Sequence, residues 1–272
     1  MNGLLLTTHI VDIKSDREII VVRQAAKIVS QILAETKLNI KPGITTQELE
    51  EIICEKIRKY NCEPAFKGYR GYPACSCISV DDELVHGIPK WTKKIKKGQL
   101  VKIDIGVKYN GFYADAATTV YIDDPKINKT ERKEILRLLE TTYNSIYEVL
   151  PFIRDGCKVG DIGYHVQKYV ESQGFSVIRE YVGHTTGRKL HEKPDIPNYG
   201  EKGEGETLVS NMVICLEPMV SVGSWETVVD SDGWTVKMKD GSLCAHYEHM
   251  VLVGYERSEI ITDPDVIKPE VI

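Results

Sequence analysis

A duplication constrains this chain more than any other feature. Shifting Ile40-Lys41-Pro42-Gly43 by 113 residues lands on Ile153-Arg154-Asp155-Gly156. The same shift carries Leu49, Ile53 and Ile57 onto Ile162, Val166 and Val170, and spacing of four puts each trio on one helix face. It also carries Val101, Ile103 and Asp104 onto Ile214, Leu216 and Glu217, two strand-like runs that each end in a carboxylate. Upstream of each copy lies a longer helical pattern, Asp16–Thr36 and Thr130–Leu150, with acidic residues near its start. One offset covering two helices, a turn and a strand is far beyond what recurring helix patterns give by chance. The turn cluster Asp123-Asp124-Pro125 divides halves of about 10–124 and 125–262. Two such halves with their sheets together predict one α+β domain over residues 1–272, with a site at the pseudo-twofold interface.

Charge narrows the function classes. Lys plus Arg is 35 and Asp plus Glu is 40, and a net charge of −5 argues against a general nucleic-acid binder. Apolar runs such as Ile19–Val22 and Val213–Leu216 fall far short of a membrane span. The opening Met1–His9 has no basic region and is not expected to be a signal peptide. Seven scattered cysteines without a Cys-x-x-Cys pair predict reduced thiols and a cytoplasmic protein.

The residues that carry chemistry are acids and histidines. Asp104 ends a strand-like run, and Asp115 follows eleven residues later, beyond the turn-forming Asn110-Gly111. Asn-Gly between apolar runs predicts a hairpin, which sets the two acids on neighbouring strands. Gly183-His184, Leu216-Glu217-Pro218 and Tyr247-Glu248-His249 complete the set. Taken singly, each reads as a surface acid or a hydrogen-bonded core histidine. Together they bury several carboxylates beside no obvious cation, at a cost of several kcal/mol each. A pair of divalent metal ions would neutralise them, and four carboxylates plus an imidazole form a hard-ligand set.

With these residues, and with Leu84-Val85-His86-Gly87-Ile88-Pro89, His191-Glu192 and Leu216-Glu217-Pro218-Met219-Val220, the chain resembles the type I methionine aminopeptidases over about residues 10–262. The resemblance implies the duplicated pita-bread (creatinase/aminopeptidase) fold, a central antiparallel sheet covered by helices. It implies two divalent ions (Co, Mn, Fe or Zn) held by Asp104, Asp115, His184, Glu217 and Glu248, with Asp115 and Glu248 bridging ions about 3–4 Å apart. A water between the ions would attack the peptide carbonyl, and Glu217 would take its proton and pass it to the leaving amine. His191 would stabilise the oxyanion and His86 would hydrogen-bond the scissile amide. The implied substrate is the N-terminal methionine of nascent polypeptides, preferably before a small second residue. The resemblance further implies a cytoplasmic monomer that associates with the ribosome and has no specific nucleic-acid or membrane partner.

By the same resemblance Tyr69, Tyr72, Cys77 and Trp234 line the methionine pocket, with Phe66 and Leu190 as neighbours. Read as residues alone, these aromatics are core filler; the run Gly68-Tyr69-Arg70-Gly71-Tyr72-Pro73 resembles the family's pocket loop. Cys75 and Cys77 have poor spacing for zinc and no nearby Cys/His pair. Two departures stand out. Thr185-Thr186 replaces a glycine-containing loop after His184, and two β-branched residues are expected to restrict it and alter the substrate groove. Arg70 stands where a histidine is common. His246 and His249 flank Glu248 as strand-face filler or as supports for it. The competing readings are an X-Pro-cleaving relative, which usually carries a further N-terminal domain, and a non-catalytic binding protein of this fold, which would have lost ligands and gained basic extensions.

Overall fold

The computed structural model describes residues 12–272, so the reading of Met1–His9 and the start of the first half near residue 10 lie outside the described residues. Four long helices follow from capping and periodicity. Helix α1 (Asp16–Lys37) starts where Glu18 accepts hydrogen bonds from the N–H and hydroxyl of Ser15, both at 2.8 Å. Helix α2 (Thr46–Lys59) repeats the device, with Thr45 and Glu48 exchanging bonds at 2.7 and 3.1 Å. It buries Leu49, Ile53 and Ile57, about 1.5–3 kcal/mol of transfer free energy for each. Helices α3 (Lys129–Val149) and α4 (Val159–Ser172) carry the second copy. Adding 113 to the bounds 46–59 gives 159–172, the bounds of α4.

The first sheet is built on a long hairpin. Strands β2 (Leu100–Tyr109) and β3 (Phe112–Tyr121) are joined by Asn110 and Gly111 at φ 48° and 86°. Positive φ at both turn residues is the I′ geometry that matches strand twist. Register pairs Asp104 with Ala117 and Gly106 with Asp115, so both acids occupy one face, two positions apart. Strand β1 (Ser76–Val80) flanks β2 and pairs Cys77 with Asp104.

The second sheet contains β4 (Gly183–Thr185), β5 (Glu192–Ile196), β6 (Val213–Leu216) and β9 (His249–Leu252), in the order β9-β6-β4-β5, with the short strand Glu259–Ile260 outside β9. A smaller sheet holds β7 (Met219–Ser221) and β8 (Cys244–His246). Helix α1 packs on β2 and β3, α2 on β1, α3 on β7 and β8, and α4 on β5. One continuous apolar core joins the two copies, from Val22 through Ile103 and Ile214 to Val251.

The expected α+β architecture of helices over antiparallel sheets stands, with Glu270–Val271 adding a parallel strand to β3. Pro218, which has no N–H to continue a ladder, separates β6 from β7. Two other expectations are corrected. Thr185 is not in a restricted loop: it ends strand β4, opposite Ile214 and Glu192, where a β-branched residue fits the pleat. The cysteines are not all free thiols. Cys54 of α2 and Cys75 before β1 are joined as a disulfide, with Cα atoms 6.0 Å apart, because the buried face of α2 lies against the chain entering β1.

Candidate active site

The two copies meet where Glu248, between β8 and β9, donates its N–H to the Ala117 carbonyl of β3 at 3.0 Å. Thr119 adds two bonds across the same seam, donating to the His246 carbonyl at 2.6 Å and accepting from the His246 N–H at 3.0 Å. This seam sets Glu248 over the face of the hairpin that bears Asp104 and Asp115. Oxygen atoms of these three carboxylates lie within 4.8 Å of one another. From the second sheet, His184 is opposite Cys215 in register, and its Nε2 is 3.6 Å from Oε1 of Glu217. His246 approaches Oε2 of Glu217 at 3.6 Å from the other side.

Electrostatics make the cluster costly as it stands. Burial and the neighbouring carboxylates hold Asp115, Glu217 and Glu248 well above the usual carboxylate range, and burial raises Asp104 to about 6. Burial pushes His184 and His246 down to about 4, so both imidazoles are neutral at pH 7 and cannot balance the acids. Lys102, buried on the same strand as Asp104, donates instead to the carbonyls of Asp81 and Cys244 at 2.8 and 3.0 Å. Oδ1 of Asp104, Oδ1 of Asp115 and Oε1 of Glu248 are buried without a hydrogen-bond partner. Orphaned acceptors aimed at a common point fit divalent cations, and carboxylates with imidazole suit Mn, Fe, Co or Zn.

The cluster floors a cavity of about 170 Å³. Phe66, Tyr72, Cys77, Leu190 and Trp234 form apolar walls, and His86, Tyr69 and His191 stand at the sides. All residues predicted for ligation, proton transfer and the pocket thus border one space. Tyr72 is fixed by donating to the carbonyls of Ser76 and Gly87 at 3.0 and 3.2 Å, and its ring meets Trp234 edge-on at 5.1 Å. Phe66 can lie on the strand only because Gly106 has no Cβ, which would collide with the Phe66 ring. His191 is tied through Nδ1 to the Tyr69 hydroxyl at 2.9 Å, and its ring lies 4.2 Å from that of His184. Burial and the nearby His184, Arg70 and His86 push His191 down to about 3, while burial and His246 push His86 to about 4. His86 holds its place with φ 58° and packs edge-on against Tyr181 and Trp234.

The histidines beside Glu248 separate. His246 points an unpartnered Nε2 into the site, whereas His249 is a satisfied core residue, bonded to Thr262 at 2.7 Å and Tyr147 at 3.3 Å. Sequence reasoning missed Cys215, whose sulfur gathers with His184 and Glu248. Period-two alternation back from Glu217 places it on the same face. A second group, Glu50 with Cys54 and Cys75, does not resemble this site: its sulfurs are joined and its carboxylate is saturated by donors.

Known proteins resemble this chain along most of its length. Residues 21–254 match the model of metallopeptidase family M24. A methionine aminopeptidase of Clostridium acetobutylicum is 41% identical over 250 residues, 92% of this chain and 98% of that protein. Methionine aminopeptidase 1 of Bacillus subtilis is 42% identical over 249 residues, 92% and 98% of the two chains. A crystal structure of methionine aminopeptidase from Thermotoga maritima superposes with a TM-score of 0.88 at 41% identity, covering 93% of this chain and all of that one. The chain belongs to metallopeptidase family M24, among the methionine aminopeptidases.

Proposed function

We propose that the chain is a metal-dependent aminopeptidase that removes N-terminal methionine from polypeptides, preferably before a small second residue. The observation that carries this reading is the set of orphaned carboxylate oxygens flooring a cavity with apolar and aromatic walls. Asp104, Asp115, His184, Glu217 and Glu248 would hold two divalent ions, which supply Lewis-acid charge and a nucleophile available at neutral pH. The chain's own groups do the rest. Tyr72, Cys77, Trp234, Tyr69 and Phe66 grip a flexible thioether through apolar contact. Glu217, between two neutral imidazoles, accepts the proton of the attacking water and hands it to the leaving amine. His191 and the Tyr69 hydroxyl share a hydrogen bond at Nδ1; in the tautomer where Tyr69 donates, the ring proton would sit on Nε2 and could donate to the developing oxyanion. His86, also neutral, hydrogen-bonds the scissile amide. The preference for a free amine follows if the amine binds at the ion held by Asp104. Nascent chains in the cytoplasm are the proposed substrates, with the ribosome as the proposed meeting point and a monomer as the working unit; no described helix is long and apolar enough to cross a membrane.

The test is methionine release from Met-Ala-Ser by metal-stripped protein refilled with Mn, Co, Fe or Zn, beside Met-Glu-Ser, Ala-Pro-Ala and the Glu217→Ala variant. Release is expected from Met-Ala-Ser alone and only with metal, and it should fall about 10²–10⁴-fold in the variant. No release with any of the four metals, or cleavage of Ala-Pro-Ala instead, overturns the reading.

A further inference from the structure

The cavity shares His191 and Arg70 with an outer groove of about 450 Å³, so the groove adjoins the space proposed for the substrate's first residue. The groove's acids are already engaged. Asp12 pairs with Arg188 and lies 3.4 Å from Lys14, Asp195 pairs with Lys193, and Glu192 accepts from Lys14 at 3.2 Å and from the Lys189 N–H at 2.9 Å. Two cations are left over: the side chains of Arg70 and Lys189 make no ion pair among the described residues. The Arg70 side chain is exposed and stacks on its neighbour. Its guanidinium lies 5.5 Å over the Tyr69 ring, whose hydroxyl bonds His191. Its backbone sits at φ 49°, a left-handed conformation that costs a non-glycine residue free energy and persists only where the surroundings hold it. A protein of net charge −5 therefore presents unpaired positive charge beside the mouth of its site.

We infer that Arg70 and Lys189 recognise a carboxylate on the substrate beyond the scissile bond, so that the enzyme prefers acidic N-terminal sequences. This rests on the aminopeptidase reading above. The carboxylate has two possible sources, an acidic side chain near the third residue or the C-terminus of a short peptide. Metal-loaded enzyme would be assayed on Met-Ala-Glu-Ala-Ala, Met-Ala-Gln-Ala-Ala and Met-Ala-Lys-Ala-Ala as C-terminal amides, with Met-Ala-Ser as acid and amide. For the side-chain source, kcat/KM should favour Glu over Lys by about three- to tenfold, carried by KM and fading in high salt. For the terminal source, the tripeptide acid should exceed its amide by a similar factor. Arg70→Gln should bring the ratio close to one, and Lys189→Gln should lower it, which covers the case where the Arg70 variant folds poorly. Ratios near one in both arms of the native enzyme overturn the inference, as does a ratio that survives both substitutions. Methionine release from the neutral Gln peptide separates the levels. If that release occurs without a charge preference, only this inference falls; if it is absent with all metals, the aminopeptidase reading falls and takes the inference with it.

Discussion

Among the regions of this molecule that bury carboxylates, two solve the problem in opposite ways. Glu50, on the buried face of α2, accepts from the N–H of Cys75 at 2.6 Å and from the N–H and hydroxyl of Ser76 at 3.1 and 2.6 Å. Burial raises its pKa, and these donors pull it back. The cluster of Asp104, Asp115, Glu217 and Glu248 has no such donors, leaves oxygens orphaned, and gathers like charges at one point. A fold that can satisfy a buried carboxylate at Glu50 leaves oxygens of Asp104, Asp115 and Glu248 unsatisfied together only where something else completes them. Satisfaction by the chain marks structure; its absence marks a ligand.

That contrast can be broken most severely at Asp115. Asp115→Asn should lose several kcal/mol of metal-derived stabilisation of the transition state, about a thousandfold in methionine release at 1.4 kcal/mol per decade. Titration calorimetry should show weakened Mn binding. In chelator, the same variant should resist urea as well as the native chain or better, because one member of a repelling set is gone. Glu50→Gln should do the reverse, losing about 2–3 kcal/mol of stability with or without metal, because buried donors lose a charged acceptor. If Asp115→Asn weakened the metal-free protein and Glu50→Gln did not, the distinction between the regions would collapse.

Titration sharpens the comparison with a smaller effect. The folded pKa of Asp104 is raised from 3.8 to about 6 by burial, so its protonated form is the one that folding favours. Its contribution is fully present below pH 3.8 and lost as pH rises through about 6. Metal binding needs the deprotonated ligands and strengthens over the same window. The gap in melting temperature between chelator and Mn should therefore widen from pH 5 to pH 7. A gap independent of pH would show that the acids do not titrate with the metal.

Much of this was legible in the sequence, for identifiable physical reasons. Helices announce themselves by period and caps, as at Thr45 and Glu48, and Asn110-Gly111 announces a hairpin because few residues tolerate two positive φ values. The hairpin then puts Asp104 and Asp115 on one face by counting alone. Long-range partners were not legible. Nothing in a separation of 21 residues pairs Cys54 with Cys75. The different fates of His246 and His249 depend on Thr262 and Tyr147, which only the fold brings to His249. The unpaired state of Arg70 depends on which acids the other groove cations have already taken.

The mildest prediction concerns a third kind of buried polar group. Thr185 follows His184 on β4, so its side chain points to the opposite face, and its buried hydroxyl has no partner. A neutral hydroxyl without a partner costs about 1–3 kcal/mol, which a fold tolerates without a ligand, unlike a set of repelling charges. Thr185→Val keeps the β-branched shape and removes the orphan. It should hold or raise stability by up to about 1 kcal/mol, leaving the His184 bond to the residue-185 carbonyl intact. Thr185→Gly should instead lose about 1 kcal/mol, because a strand interior penalises glycine. Urea midpoints of the two variants decide between strand and loop at this position. If Gly proved the more stable replacement, β4 would be behaving as the restricted loop first expected from the sequence, and the orphaned hydroxyl would need another explanation.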